Sequence, residues 1–495
     1  MDETLRETED FLRNYRKDGP LPQGLLLLIA DLVRPAPVLS LDEDLLESDA
    51  LIAKDQHLLH LSPLLALAQQ IVPLLPAPTD LPSREDLDLW ARLLLIFGRY
   101  TQESVADVFT TAEARKRALS ISSLLLTPRT LRLPLIRHTV SVSLPSFFKP
   151  HPRLNPATGR VLSRPAGGDR GVQDWYDEGE DDGSGWRRQA GMAGVVRTLI
   201  ETLSPGEVED LWPLLLPPLL SYLDDYETKN KIVGTGLLNA LLDRVDASLL
   251  RRTGVGKVFE KSLDSCFTTL SDPHTAILLS SAHPVALKLL NLQYPTSSFS
   301  STTSSQLSTS DEPRLNALFS LLTSAILHAW EFKSSHVDIE TVTAQHLPSI
   351  VDSLGPAVIR YLQILVPHLS DLLAQTATAA GGTWTKEAVR MMIAAAGALE
   401  SVVRNGRARM SRWAGKIGGA VAQAWVGLKE SERAGKVRHT DEGKEQIGEL
   451  EEALIGLTKA LAVATGEGKV AERLKGAGPA LEGLLPVSTE VASEA

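Results

Sequence analysis

The sequence predicts an all-α protein whose helices form a segmented array rather than one compact core. Three observations carry this. The chain has 495 residues, beyond the size of one ordinary domain. It is 43% hydrophobic but only 5% aromatic, and Leu and Ala supply most of the apolar content, a balance that favours helices. Apolar residues recur at three- and four-residue steps, with no sustained two-residue alternation. Between Val208 and Val245 a helix, a tight acidic turn and a second helix span about 40 residues, the period of HEAT and armadillo repeats. The expected fold is an irregular α-solenoid of HEAT/armadillo-like helical repeats with two long flexible loops. An unrelated helical bundle is the competing architecture.

Residues 1–143 read as an N-terminal helical region. Ser40 and Glu43 have capping-box spacing ahead of a helix over Asp44–Ala53. Leu58–Leu75 is apolar, and Pro63 and Pro73 are expected to limit its helical run. Ser83 and Asp86 again have capping spacing, and Leu87–Tyr100 follows with Trp90, Leu93, Leu94 and Phe97 on one face. Ala112–Leu126 is the next helix. Residues 144–190 form a Pro/Gly/acidic loop with an acidic run from Asp177 to Asp182. It is expected to be largely mobile, anchored by Trp175, Tyr176 and Trp186.

Residues 191–293 read as a HEAT-like core. Ser204, Pro205 and Glu207 supply an N-cap, an N1 proline and an N3 acid. Val208, Leu211, Trp212, Leu215, Leu216, Leu219, Leu220 and Leu223 then follow a helical period. Pro213, Pro217 and Pro218 should bend or split this helix. Asp224 and Asp225 end it, and a second helix runs over Thr228–Val245. Gly234 and Gly236 inside that helix imply either close packing of a neighbouring backbone or a local kink. An acidic turn residue can cap the second helix, and a basic residue early in that helix, such as Lys229 or Lys231, can reach an adjacent repeat.

Residues 294–312 are a Ser/Thr-rich linker. Residues 313–485 hold C-terminal helical repeats: Leu315–Trp330, Leu354–Ala374, Trp384–Val403, Met410–Leu428 and Gly443–Val463. Gly381-Gly382 and Asn405-Gly406 mark breaks. Residues 486–495 are a polar tail.

The net charge of −11 argues against nucleic acid as a direct partner, because phosphate binding needs a basic face. A single cysteine, Cys266, excludes an internal disulfide and fits a small core residue in a reducing compartment. Met1–Asp10 carries no apolar signal-like run. The apolar stretches Gly24–Val33 and Leu211–Leu223 fall short of the ~20 residues that span a bilayer. A soluble, intracellular protein without a membrane partner is expected.

No enzymatic site emerges. Arg252 to Lys257 imitates a phosphate loop, but Arg251 and Val258 stand where glycine and Ser/Thr are required, so a glycine-bearing turn between helices is expected. Asp182 to Trp186 lacks the flanking glycines of a nucleophile elbow. His57 and His60 could share a helical face, but no third metal ligand accompanies them beyond Asp55. No catalytic, cofactor or metal residue is assigned.

One charged feature departs from the average. Residues 404–438 hold nine Lys or Arg and two acids, a local +7. On a continuous helix Arg409, Arg412 and Lys416 share one face. They suit docking of an acidic or phosphorylated partner segment, or simply form a solvated face.

The stretch Trp212–Phe259 carries a recognisable order: Pro217, Pro218, Leu219 and Leu220; Leu223, Asp224 and Asp225; Lys229, Lys231, Ile232 and Gly234; then Leu250, Arg252, Thr253 and Gly254 before Val258 and Phe259. Ala282, His283 and Pro284 continue it. This resembles the second Tel-two-interacting protein family, a subunit of the Triple T (TTT) co-chaperone complex, over roughly Ile200–Leu290. The resemblance implies a non-enzymatic α-solenoid scaffold that assembles with two larger helical-repeat subunits. It would act with the ninety-kilodalton heat-shock chaperone and an AAA-ATPase-containing adaptor. The implied clients are phosphatidylinositol 3-kinase-related kinases of the TOR and ATM types, linking the protein to growth, DNA-damage and telomere pathways. A generic transport or trafficking adaptor is the alternative. Asp224, Asp225, Lys229, Lys231, Arg252 and Thr253 are expected to form a structural turn network, with partner contact as the other use of the same residues.

Overall fold

The computed structural model describes residues 23–35, 48–75, 82–102, 110–168, 175, 185–295, 312–333, 336–378, 385–433 and 441–466, with 481 and 484. The Ser40 cap, most of the Ser/Thr linker, the acidic run 177–182, the Gly381-Gly382 break and the 486–495 tail lie outside them. Among the described residues the protein is all-α, and β pairing is confined to one isolated antiparallel bridge, Leu154 to Val161. The chain divides into two compact units, Met1–Leu263 and Asp264–Ala495.

The first unit contains α1 (Gln23–Val33), α2 (Ser48–Ile71), α3 (Arg84–Phe97), α4 (Ala112–Leu126), α5 (Arg129–His138), α6 (Met192–Thr202), α7 (Pro205–Leu223), α8 (Thr228–Leu242) and α9 (Ala247–Thr253). The helix α10 (Gly256–Thr268) begins in it. α2 packs against α1 and α4, α3 against α5 and α6, and α7 against α6 and α8. The Ser83 capping box is present: its Oγ accepts from the Asp86 N–H at 3.1 Å, and the Asp86 carboxylate accepts from the Ser83 N–H at 3.1 Å. The Ser204 N–H and Oγ likewise donate to Glu207 at 2.8 Å each.

Prolines do not break these helices. Pro63 lies inside α2, and Pro213, Pro217 and Pro218 all lie inside an unsplit α7, which corrects those expected breaks, while α2 does end at Ile71, ahead of Pro73. An interior proline costs ~3 kcal/mol. Against that, α7 buries Val208, Trp212 and the leucines 211, 215, 216, 219, 220 and 223, each leucine returning ~1.5–3 kcal/mol. Burial outweighs the three lost amide donors.

Gly234 resolves the alternative left open for α8. A Cβ there would lie 2.5 Å from both Cα and N of Leu223 and 2.7 Å from the Tyr222 carbonyl carbon. The backbones of α7 and α8 touch at this point, so the glycine serves close packing. A Cβ at Gly236 would meet only Gln102 Nε2, at 3.9 Å. Gly234→Ala should therefore destabilise by about 1–3 kcal/mol, because overpacking against backbone exceeds the ~1 kcal/mol gained in helix propensity. Gly236→Ala should be neutral or stabilising. Urea unfolding of the two variants checks the contrast.

The irregular segment after α5 is packed over its first part. Phe148, His151 and Leu154 are buried, and Gly159 lies against the Trp212 indole. The expectation of a largely mobile stretch therefore does not describe Leu144–Gly168, although the bridge and turns there are short.

The second unit contains α11 (Thr275–Gln293), α12 (Glu312–Leu321), a π-helical turn Leu322–Leu327, α13 (His328–Lys333), α14 (Val337–Leu354), α15 (Leu362–Thr378), α16 (Lys386–Asn405), α17 (Ala414–Arg433) and α18 (Asp441–Thr465). α14, α16 and α18 stack in succession, while α15 packs on α17. α15 also contacts α16, and α17 contacts α18. Alternate helices thus form two layers, the arrangement of a helical-repeat solenoid within this unit. Cys266, at the end of α10, is fully buried.

Two stretches, Thr275–Gln293 and Val337–Ala374, are long and apolar enough by composition to cross a membrane, a length the sequence reading did not mark. In the fold Leu278, Leu279, Ala282, Leu289 and Leu290 of α11 are buried, and α11 packs against α14.

Candidate functional site

The acidic turn between α7 and α8 is built around a buried ion pair. The Asp225 side chain is fully buried. Arg187 Nη2 donates to its Oδ1 at 2.8 Å and Nε approaches Oδ2 at 3.4 Å. Asn230 Nδ2 donates to Oδ2 at 2.6 Å, and the Tyr226 N–H donates to Oδ1 at 2.7 Å. Both carboxylate oxygens are therefore saturated by donors, the condition under which a buried ion pair is tolerated. Burial works against the Arg187 charge, but the bond to Asp225 and its negative charge more than offset that and hold its pKa above the usual value.

Aromatic rings enclose the pair. The Arg187 guanidinium lies 5.3 Å from the Trp186 ring centroid and 5.0 Å from that of Tyr226. Trp186 packs on Tyr222 at 4.4 Å, and Phe148 stacks on Trp186 at 6.1 Å. Trp186 is thus an anchor, as expected. Trp175 meets His151 edge-on at 4.7 Å, and Tyr176 lies outside the described residues.

Asp224 faces His151, whose Nε2 lies 3.6 Å from Oδ2. Neither aspartate caps the α8 start: the N-cap is Glu227, without a side-chain cap bond, which corrects the capping role expected of this turn. Lys231 is buried and Lys229 half-buried, each engaged by neighbours.

Arg252 and Thr253 stand apart from the aspartates. Arg252 pairs with Glu209 of α7 at the surface. Thr253 Oγ1 donates to the Leu249 carbonyl at 2.7 Å, and its own carbonyl accepts from the Val161 N–H at 3.0 Å. Gly254 adopts φ +73 as the C-cap of α9, a conformation glycine reaches without a Cβ penalty. The Arg252–Lys257 stretch accordingly holds the turn between α9 and α10, at Gly254-Val255, as the sequence indicated.

The two clusters share a purpose. His151 on Asp224, Arg187 on Asp225 and Val161 on Thr253 fasten three points of the 148–188 segment to the α7–α9 motif. Between this segment and α7 lies a cavity of about 250 Å³, lined by Phe148, His151, Leu154, Pro213 and Pro217 among others. Arg187, Asn230 and His151 were missed by sequence reasoning. The Trp186-Arg187-Arg188 triplet was visible, but no spacing rule joins it to an aspartate 38 residues away.

His57 does not gather metal ligands. Its Nε2 lies 3.1 Å from the Tyr100 hydroxyl, which also donates to the Val33 carbonyl. Among the described residues no cluster of three His, Cys, Asp or Glu could hold a metal. The Asp182–Trp186 elbow lies mostly outside the described residues.

In the second unit the basic stretch is not one helix. Arg407–Arg412 form a 3-10 turn, and α17 begins only at Ala414, so Arg409, Arg412 and Lys416 do not share an α-helical face. Lys416 pairs with Asp371, and Lys429 pairs with Glu451. Arg409 and Arg412 remain exposed.

Comparison with known proteins adds the family. No curated protein sequence matches significantly. Solved structures that align with the chain include an engineered protein at 13% identity and TM-score 0.35, covering 97% of this chain and 98% of that one. Importin beta aligns at 14% identity and TM-score 0.43, over 97% of this chain and 54% of its own. Kap121p aligns at 11% identity and TM-score 0.36, over 98% and 55%. The chain therefore spans about half the length of these two proteins. The Tti2 family model matches residues 93–380, more than half of the chain and all of the α7–α9 motif with its fastened segment. On that match, this chain belongs to the Tti2 family.

Proposed function

We propose that this chain is the non-enzymatic helical-repeat scaffold subunit of a TTT co-chaperone. It assembles with the two larger helical-repeat subunits and supports folding and assembly of phosphatidylinositol 3-kinase-related kinases of the TOR and ATM types. The ninety-kilodalton heat-shock chaperone and an AAA-ATPase-containing adaptor act beside it. It works in cytoplasm and nucleus, takes no cofactor, and contacts neither membrane nor nucleic acid directly. The Tti2 match over residues 93–380 carries this reading. The stacked helices fit it, because a layered array offers extended faces for partner binding.

Affinity purification of the tagged full-length chain, with mass spectrometry, tests the proposal. Recovery of two larger helical proteins together with giant kinases is the expected result, and depletion of the chain should lower kinase abundance. Recovery of transport cargo or coat proteins instead, with kinase levels unchanged, would replace it with a trafficking adaptor.

A further inference from the structure

We infer that the 3-10 turn Arg407–Arg412 is a docking site for an extended acidic peptide segment of a protein partner, read by Arg409 and Arg412 with Arg407 beside them. The inference is independent of the co-chaperone reading, since it rests on this turn alone.

The first observation is selective pairing. Flanking cations have partners: Arg404 with Glu400 at 3.8 Å, Lys416 with Asp371, and Lys429 with Glu451. Asp352 accepts from Asn405 Nδ2 and Ser401 Oγ, each at 2.7 Å. Among the described residues no carboxylate pairs with Arg407, Arg409 or Arg412, although the whole chain carries −11. Three exposed guanidinium groups lie within six residues, and that of Arg412 lies 5.7 Å from the Trp413 ring centroid.

The second observation is rigidity. Met410, the centre of the turn, is fully buried. A Cβ on Gly406 would lie 2.8 Å from Met410 Cε and 2.9 Å from the Val402 carbonyl oxygen, so the chain is held tightly where it leaves α16. The Arg409 N–H donates to the Gly406 carbonyl at 2.9 Å, and the Trp413 N–H to that of Met410 at 2.9 Å. The turn packs against α16, α17 and α18. The arginines thus stand on a fixed base, which lowers the backbone ordering cost of binding.

The third observation is spacing. In a 3-10 turn, residues i and i+3 eclipse and are separated by about 6 Å. Arg409 and Arg412 therefore form one row. An extended strand places alternate side chains on one side about 6.6 Å apart. Two carboxylates at positions i and i+2 of an extended peptide match that row. Each guanidinium can then donate two parallel N–H bonds to one carboxylate. Helix-dipole compensation does not account for the cluster, because Arg404 already occupies the last turn of α16 and the three arginines lie beyond it.

Fluorescence anisotropy on the full-length chain tests the site, with a labelled peptide bearing glutamates at alternate positions. Controls are the glutamine version, a peptide of equal charge with its glutamates contiguous, and a DNA duplex. The expected result is salt-sensitive binding that prefers the alternate peptide and falls at least tenfold in Arg409→Glu with Arg412→Glu. Arg409→Gln with Arg412→Gln should show the same loss in smaller measure with an unchanged melting curve, which decides the matter if charge reversal perturbs folding. Equal binding of the contiguous peptide or of DNA, indifference to both double variants, or no binding at low salt would overturn the proposal.

Discussion

Asp225→Ala is expected to destabilise the first unit by about 3–5 kcal/mol, the range for removing one partner of a buried ion pair. The cause lies in what remains. The Arg187 side chain is only 16% exposed, and without Asp225 its charge loses its buried carboxylate while Asn230 keeps only the longer bond to Glu227 at 3.2 Å. For a unit of this size such a loss lowers Tm by about 10 °C. Asp224→Ala should cost less, since His151 approaches its carboxylate only to 3.6 Å. Replacing both partners, Asp225→Leu with Arg187→Met, should recover much of the loss, because a buried pair is often matched by apolar residues of similar volume. A double-mutant cycle by urea denaturation measures the coupling. If Asp224→Ala with Asp225→Ala left Tm intact but abolished partner pull-down, the turn would be a contact surface rather than a structural clasp.

The second large effect is a pH dependence in the second unit, centred on His283 of α11. Its ring is buried between two carbonyls: Nδ1 lies 2.6 Å from Leu279 O and Nε2 lies 3.1 Å from Ala325 O. Ala325 belongs to the π-helical turn. A neutral imidazole has one N–H, so it can donate to only one of these carbonyls. Protonation would satisfy both, but burial and the stacked His346, 5.3 Å away, push the pKa down to about 4. Between pH 6.5 and 4 the unfolded chain binds this proton and the folded chain does not. Stability therefore rises with pH across that window and is lost on acidification, by up to about 3 kcal/mol.

Glu340 of α14 opposes this. Burial raises its carboxyl to about 7, so the folded state holds a proton there between pH 4.5 and 7 that the unfolded chain releases. Its contribution grows as pH falls through that window. The two slopes offset between pH 4.5 and 6.5, and the wild-type profile should be shallow there. Glu340→Gln should expose the acid lability of His283, while His283→Gln should leave stability rising from pH 7 to 4.5. Urea midpoints at pH 7, 5.5 and 4.5 measure both. A His283→Gln profile superimposable on wild type would show that the imidazole carries no such linkage. His346 and His368, whose pKa values burial also lowers, add in the same direction as His283.

Much of the fold could be read locally. The Ser83 and Ser204 caps, the exact-length α4 over Ala112–Leu126, the α7–α8 pair and the break at Asn405-Gly406 follow from signals within a few residues. Prolines misled where burial intervened. Pro63, Pro213, Pro217 and Pro218 sit inside continuous helices, and unmarked α5, α11 and α14 carry Pro134, Pro284 and Pro348. A local rule counts the lost amide donor and cannot count the apolar side chains that a neighbouring helix will cover.

The candidate residues divide the same way. The sequence by itself determined an all-α chain, the acidic turn, the two glycines inside α8 and a basic cluster within a −11 chain, because composition, period and turn chemistry are local. Only the tertiary structure decided that Asp225 answers Arg187, that Lys416 and Arg404 have carboxylate partners while, among the described residues, Arg407, Arg409 and Arg412 have none, and that His283 lies between two carbonyls. Those facts join residues up to 45 positions apart, and a charge's energy depends on its partner and on how much water remains around it.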